Sequence, residues 1–135
     1  MTVRSTPELV TFTAGEDLTG KQYHAVKLDS SNENEILLSG AGDESIGILC
    51  SEGIQGSDVS VVNGGGSYAV IGTGAIVPGD KLKPDAAGKL IISSPAESVR
   101  EHFVAIAIGS TSSADAQIEV LVMPQFNTNP VPSPA

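Results

Sequence analysis

The chain has 135 residues, with seven lysines and arginines against sixteen aspartates and glutamates, and its formal charge is -9. A chain of this length is typical of one domain that can bury a substantial core. The acidic balance argues against nucleic acid and anionic membranes as partners, because both require a clustered positive surface. The one cysteine, Cys50, excludes a disulfide bond within the chain.

The first half of the chain contains short apolar runs separated by polar turns. These runs are rich in β-branched residues and predict strands. The predicted strands are Leu9–Thr13, Tyr23–Leu28, Glu35–Leu38 and Ile46–Cys50. The last run is continuously apolar, which predicts a strand covered on both faces and a buried, unreactive Cys50. Residues 1–8 are predicted to form an arm. They contain no apolar stretch of a signal peptide, so we expect a protein made in the cytoplasm.

The centre of the chain alternates strands with turns. The triple glycine Gly64–Gly66 is predicted to form a turn between two strands, at Ser57–Asn63 and Ser67–Thr73. Two shorter strands are predicted to follow, one ending at Lys83 and one spanning Lys89–Ser93. This close spacing of strands and turns is typical of an all-β domain.

A possible helix start follows the central strands. Ser94 can cap a helix, Pro95 suits its first position and Glu97 completes a capping box. The apolar pattern supports one or two helical turns, through Val99 and at most to His102. No amphipathic helix longer than these one or two turns is predicted.

Two apolar strands and a proline-rich tail complete the chain. The strands are predicted at Phe103–Ile108 and Gln117–Met123, and the second alternates between apolar and polar residues. Residues 124–135 have no such pattern and contain several prolines, which predicts an extended tail outside the core. We therefore predict an all-β fold, a compact small β-barrel or sandwich with at most one short helix and extended arms at both ends. The predicted organisation is an arm over 1–8, one β-domain over 9–123 and a tail over 124–135.

The sequence contains no recognisable motif for catalysis or cofactor binding. The glycine-rich stretches do not complete GxGxxG, and Gly88-Lys89 is followed by Leu90 where a P-loop requires serine or threonine. His24 and His102 lack the ligand spacing of a zinc site, and no GxSxG is present. We expect no catalytic residue, no cofactor and no metal, although a metal site formed between subunits stays open. The chain is expected not to be an enzyme.

Several segments together resemble the head decoration, or capsid cement, proteins of tailed bacteriophages. The run Tyr23–Leu49 has the arrangement of that family: a strand ending in VKLD, a hydrophilic turn, an apolar strand, a Gly-Asp turn and a strand beginning with Ile-Gly. The resemblance continues through the turns Pro78–Leu82 and Asp85–Lys89, and ends with the strands FVAIAI and QIEVLVM. Most of residues 9–123 is included.

The resemblance implies a virion structural protein that binds the outer surface of an icosahedral head and stabilises the lattice of the major capsid protein. It implies a homotrimer whose partner is that capsid protein, on the outside of the virion. An alternative is a carbohydrate-binding or cell-surface-binding β-module of a phage or bacterial surface structure. We expect the two arms to contact the capsid or a neighbouring subunit. The candidate contact residues are Thr2, Val3, Arg4, Pro7, Phe126, Pro130 and Pro132.

Overall fold

A computed structural model describes residues 7–95 and 99–128. The described residues form strands and connecting loops and contain no helix, so none that could cross a membrane. The all-β fold class is therefore confirmed. The strands are β1 (Glu8–Ala14), β2 (Ala25–Leu28), β3 (Glu35–Leu38), β4 (Gly47–Leu49), β5 (Asp58–Val70), β6 (Lys81–Pro84), β7 (Leu90–Ile92), β8 (Arg100–Ala107) and β9 (Gln117–Thr128).

The first five strands close into a small barrel. β1 pairs in parallel with β3, and antiparallel pairs then join β3 to β2, β2 to β4 and β4 to β5. The first half of β5 pairs antiparallel with β1, which completes the ring in the order β1-β3-β2-β4-β5. Closure leaves little of the sheet with an open edge, a common solution in small β-proteins.

The second half of β5 begins another set of strands. Antiparallel pairs join β5 to β9, β9 to β8, β8 to β6 and β6 to β7. A parallel bridge between Ile71 and Leu90 then connects β7 to the residue directly after β5. The molecule thus consists of two small rings of strands that share β5.

Two apolar cores fill these rings. The smaller core contains Ala14, Leu18, Val26, Ile36, Leu49, Val59 and Val61. The larger contains Ala25, Ile48, Val62, Ala69, Ile71, Ile76, Leu82, Leu90, Val104, Ala105, Ala107, Ile118, Val120 and Val122. Successive side chains of a strand point to opposite faces, so adjacent residues such as Val61 and Val62 enter different cores. All three residues of β4 are buried, which confirms the prediction of a strand covered on both faces.

The prediction of a turn at the triple glycine is wrong. Gly64–Gly66 lie inside β5, which runs without interruption from Asp58 to Val70. Gly65 has a φ of 85°, in the left-handed region that glycine adopts without strain. At this point β5 leaves its pairing with β1 and begins its pairing with β9, so the glycines allow one strand to change sheets.

The predicted end of the last strand at Met123 is also wrong. β9 continues through Pro124 to Thr128, and its final residues pair with the start of β8. Pro124 falls in a register shift, because Phe103 pairs with Gln125 whereas Ala105 pairs with Val122. Proline is tolerated in a strand at such a bulge, where its missing N–H is not needed by the ladder.

The predicted helix is not found in the residues that the structure describes. Residues 96–98 lie outside them, Val99 is not helical, and β8 begins at Arg100 and includes His102. Pairing of Arg100–Phe103 with the end of β9 excludes a helix that continues to His102.

Candidate interaction surface

Two of the predicted contact residues, Pro7 and Phe126, lie in the part of the chain that the structure describes. They lie on different surfaces, so the structure does not bring them together. The other predicted contacts lie outside the described residues: Thr2, Val3, Arg4, Pro130 and Pro132.

Phe126 is the centre of a cluster of charged and aromatic side chains on β8 and β9. Phe126 is 42% exposed. The guanidinium of Arg100 lies 4.0 Å from the centre of the Phe126 ring, and the ring of His102 meets it edge-on at 5.2 Å between centroids. Residues 100 and 102 are two apart on β8, and His102 pairs directly with Phe126, so the three side chains share one face of the sheet. Arginine stacked on an aromatic ring is common in protein interfaces.

A cleft of about 290 Å³ opens beside this cluster, and we call it the Phe126 cleft. Its lining is Gly42, Asp43, Glu44, Lys83, Pro84, Arg100, Glu101, His102 and Phe126. A second, shallower depression shares Glu44 and His102 with it and extends to Leu28, Ile46 and Pro124. The two form a continuous surface across both rings, with charged groups of both signs next to apolar side chains.

A hydrogen-bonded carboxylate forms one wall of the cleft. Glu101 accepts hydrogen bonds from Lys83 at 3.1 Å and from the Ser93 hydroxyl at 2.7 Å. Partial burial acts to raise the pKa of Glu101, but these two bonds, together with the charge of Lys83 and a backbone hydrogen bond from Ser94, hold that pKa below its usual value. Glu101 therefore remains charged at neutral pH, and Lys83 is held in place by its ion pair.

His102 also lines the cleft. Burial lowers the pKa of His102 below its ordinary value, and nearby Glu44 opposes that effect. Its Nδ1 atom is buried and has no hydrogen-bond partner among the described residues. His24, the other histidine, is buried elsewhere, with its Nδ1 3.1 Å from the carbonyl oxygen of Gln22. The two histidines are therefore not parts of one site, and no grouping of three potential metal-binding side chains occurs among the described residues.

Pro7 lies beside a pair of tyrosines on the other surface. The rings of Tyr23 and Tyr68 are 5.9 Å apart between centroids, and Tyr68 is exposed. Together with Pro7 and Cys50 they line a shallow, mainly apolar hollow next to the glycine segment of β5. Cys50 is half-buried here, whereas the sequence predicted a buried side chain.

The apolar residues Leu9 and Val10 on β1 are functional candidates that the sequence analysis missed. Leu9 is 55% exposed and Val10 is 36% exposed, whereas the sequence analysis predicted only that both lie in a strand. A signal was present in hindsight: the run LVTFT carries apolar or β-branched residues at every position, and a single core could receive only every second one.

Comparison with known proteins gives a fold relationship. No family model matches the chain, and no curated protein matches it. Among solved structures, the N base of the head fibre protein gp8.5 of bacteriophage phi29 matches with a TM-score of 0.64 and 12% sequence identity. The match covers 87% of this chain and 94% of that chain. The chain therefore shares the fold of this domain almost from end to end.

Proposed function

We propose that this protein is a structural component of a bacteriophage virion, attached to the outside of the head. The observation that carries the proposal is the fold shared with the N base of a phage head fibre protein, over nearly the whole of both chains. The sequence supports it independently, because the strand and turn order of residues 23–123 resembles the decoration proteins of phage heads.

In this proposal the protein acts by binding, without catalysis, and its partner is the major capsid protein. A protein that binds the assembled lattice and not the free subunits stabilises that lattice by mass action. Several copies joined as an oligomer, such as a trimer, would attach at several points, and the effective concentration of the second contact strengthens the first. Rigidity suits this role, and two cores that share a strand provide it.

The Phe126 cleft is the surface that we assign to the capsid contact. It combines an arginine held over an aromatic ring, a partly exposed apolar side chain and a fixed ion pair of Lys83 with Glu101. Arginine and aromatic residues are enriched among the side chains that dominate binding energies. The mixed charges would complement a partner with both signs on its surface, in spite of the net charge of -9.

Co-sedimentation with undecorated, expanded phage heads tests the proposal. The purified protein is expected to pellet with heads and to saturate at a fixed number of copies per head. Arg100→Ala is expected to weaken binding at least about tenfold, the loss typical of a contact that contributes about 1.4 kcal/mol. Lys21→Ala is the matched control, because it removes one positive charge away from the cleft.

Two results would count against the proposal in different ways. Absence of wild-type binding at every salt concentration would overturn the head-binding function. Equal binding by wild type and Arg100→Ala would keep that function and reject the Phe126 cleft as the contact surface.

A further inference from the structure

The outer edge of β1 is an open sheet edge over its first residues. The amides of Thr13 and Gly15 donate to the β3 side, to the carbonyl oxygens of Asn34 and Ile36. The amide of Ala14 donates to Ser57 on the β5 side. Since a strand presents its backbone groups to alternate sides, Leu9 and Thr11 face the same side as Thr13.

No strand lies beside Leu9 and Thr11 within residues 7–95 and 99–128. The pairing of β1 with β3 comprises Thr13 with Glu35 and Ala14 with Ile36, and β3 begins at Glu35. The N–H and C=O groups of Leu9 and Thr11 thus form a short row able to accept one further strand.

Apolar side chains accompany this open edge on both faces of β1. Leu9 is 55% exposed on one face and Val10 is 36% exposed on the other. An exposed edge with apolar side chains invites pairing, and proteins usually blunt such an edge with charges, prolines or a covering segment.

The segment after β9, residues 129–135, has a suitable pattern of hydrogen-bonding groups. Its sequence is NPVPSPA, with proline at every second position, 130, 132 and 134. In an extended strand these prolines would all face one edge, where their missing N–H groups are tolerated if that edge faces solvent. Asn129, Val131 and Ser133 would present both N–H and C=O groups to the opposite edge. Residues that precede proline favour extended conformations, which are the conformations that strand addition requires.

We propose that residues 129–135 of one copy of this chain add as an edge strand to β1 of a neighbouring copy. The backbone groups of Leu9 and Thr11 would pair with those of Val131 and of the residues two positions away from it, Asn129 and Ser133. The prolines would form the new outer edge. Val131 would cover the face of Leu9, and the prolines would cover the face of Val10. The prolines would also stop any further strand addition.

The position of β9 favours a neighbouring copy as the donor. β9 ends at Thr128 paired with Arg100, at the start of β8 in the second ring. The open edge of β1 belongs to the first ring, where β1 pairs with β5 and β3. A contact from the end of one copy to the start of the next is head-to-tail, and such contacts generate closed rings when the rotation between copies closes and open filaments when it does not. This inference concerns assembly of the chain alone and does not depend on head binding.

Two matched substitutions test which edge of the segment is needed for the oligomer. Val131→Pro removes a donor from the edge that faces β1, whereas Pro132→Val adds one on the outer edge. Light scattering at about 100 µM protein, well above the micromolar Kd that the assay must detect, is expected to give an oligomer for wild type and Pro132→Val. Val131→Pro and a chain ending at Thr128 are expected to be monomers. A monomeric wild type would overturn the proposal. So would an oligomer that persists both in Val131→Pro and in the chain ending at Thr128.

Amide hydrogen exchange followed by NMR identifies the site of contact. The amides of Leu9 and Thr11 are expected to exchange at least about tenfold more slowly in the full chain than in the chain ending at Thr128. The amide of Ala14, which bonds within the barrel, serves as the internal reference and is expected to be unchanged. Equal rates for Leu9 and Thr11 in the two chains would refute the assignment to β1. Slow hydrogen exchange in a full chain that is monomeric would show that the segment covers β1 of its own copy. That result would also contradict the proposed pairing between neighbouring copies.

Discussion

Replacement of Phe126 by alanine tests whether the chain beyond Pro124 belongs to the folded domain. Phe126 is 42% exposed, so more than half of its surface is covered. Complete burial of a phenylalanine side chain contributes about 1.5–3 kcal/mol, so this coverage contributes about 1–2 kcal/mol. The contact of the Arg100 guanidinium with the ring adds about 0.5–1 kcal/mol at a partly exposed position. We expect Phe126→Ala to lower the free energy of unfolding by about 2 kcal/mol.

Urea unfolding followed by circular dichroism measures this loss. With a slope of about 2 kcal/mol per molar urea, the midpoint is expected to fall by about 1 M. Ile54→Ala is the control, because Ile54 lies in the loop between β4 and β5 and is 65% exposed. Its effect is expected to stay within about 0.5 kcal/mol. Midpoint shifts of equal, small size for both variants would refute the reasoning, and would favour a loose tail after Pro124.

Two further predictions concern the core and the histidines. A Cβ at Gly47 would overlap the carbonyl oxygen of Val62, so Gly47→Ala is expected to cost about 3 kcal/mol or more in the same urea assay. Gly109→Ala, whose Cβ would make ordinary contacts, is expected to cost less than about 1 kcal/mol, and equal losses would contradict the packing argument. Burial lowers the pKa of His24 and His102, so the unfolded chain binds protons more readily and stability is expected to fall as pH drops below about 6.5. Unfolding curves at about pH 7.5 and about pH 5.5 measure this effect, and stability that is constant or higher at the lower pH would contradict it.

The strand content was predictable because it follows from local apolar patterns. Glu35–Leu38 was predicted with the bounds that β3 has in the structure. The buried β4 was also predictable, since a continuous apolar run of that length requires cover on both faces. Both inferences use only the alternation of side chains along a strand and need no knowledge of the partner strands.

The errors occur where pairing with distant strands outweighs a local signal. Three consecutive glycines usually mark a turn, but in β5 they let a strand change partners from β1 to β9. Pro124 usually ends a strand, but here it lies in a bulge opposite β8. Neither outcome could be read from neighbouring residues, because the partners are far away in the sequence.

The candidate site was only partly predictable for the same reason. The sequence analysis named Phe126 as a contact residue, but gave no sign of its stacking with Arg100 or of its pairing with His102. That arrangement depends on the register between β8 and β9 beyond the bulge. The open edge of β1 was missed because it depends on where β3 begins, at a residue opposite Thr13.

The strand β5 also affects how the molecule unfolds. Its first half closes one ring and its second half closes the other, and the adjacent residues Val61 and Val62 are buried in different cores. Loosening either core therefore removes support from a strand that the other core needs. We therefore expect a single cooperative transition, with circular dichroism and tyrosine fluorescence changing together and no half-folded intermediate accumulating. One proteolytic cut within Gly64–Gly66 would accordingly destroy both rings at once.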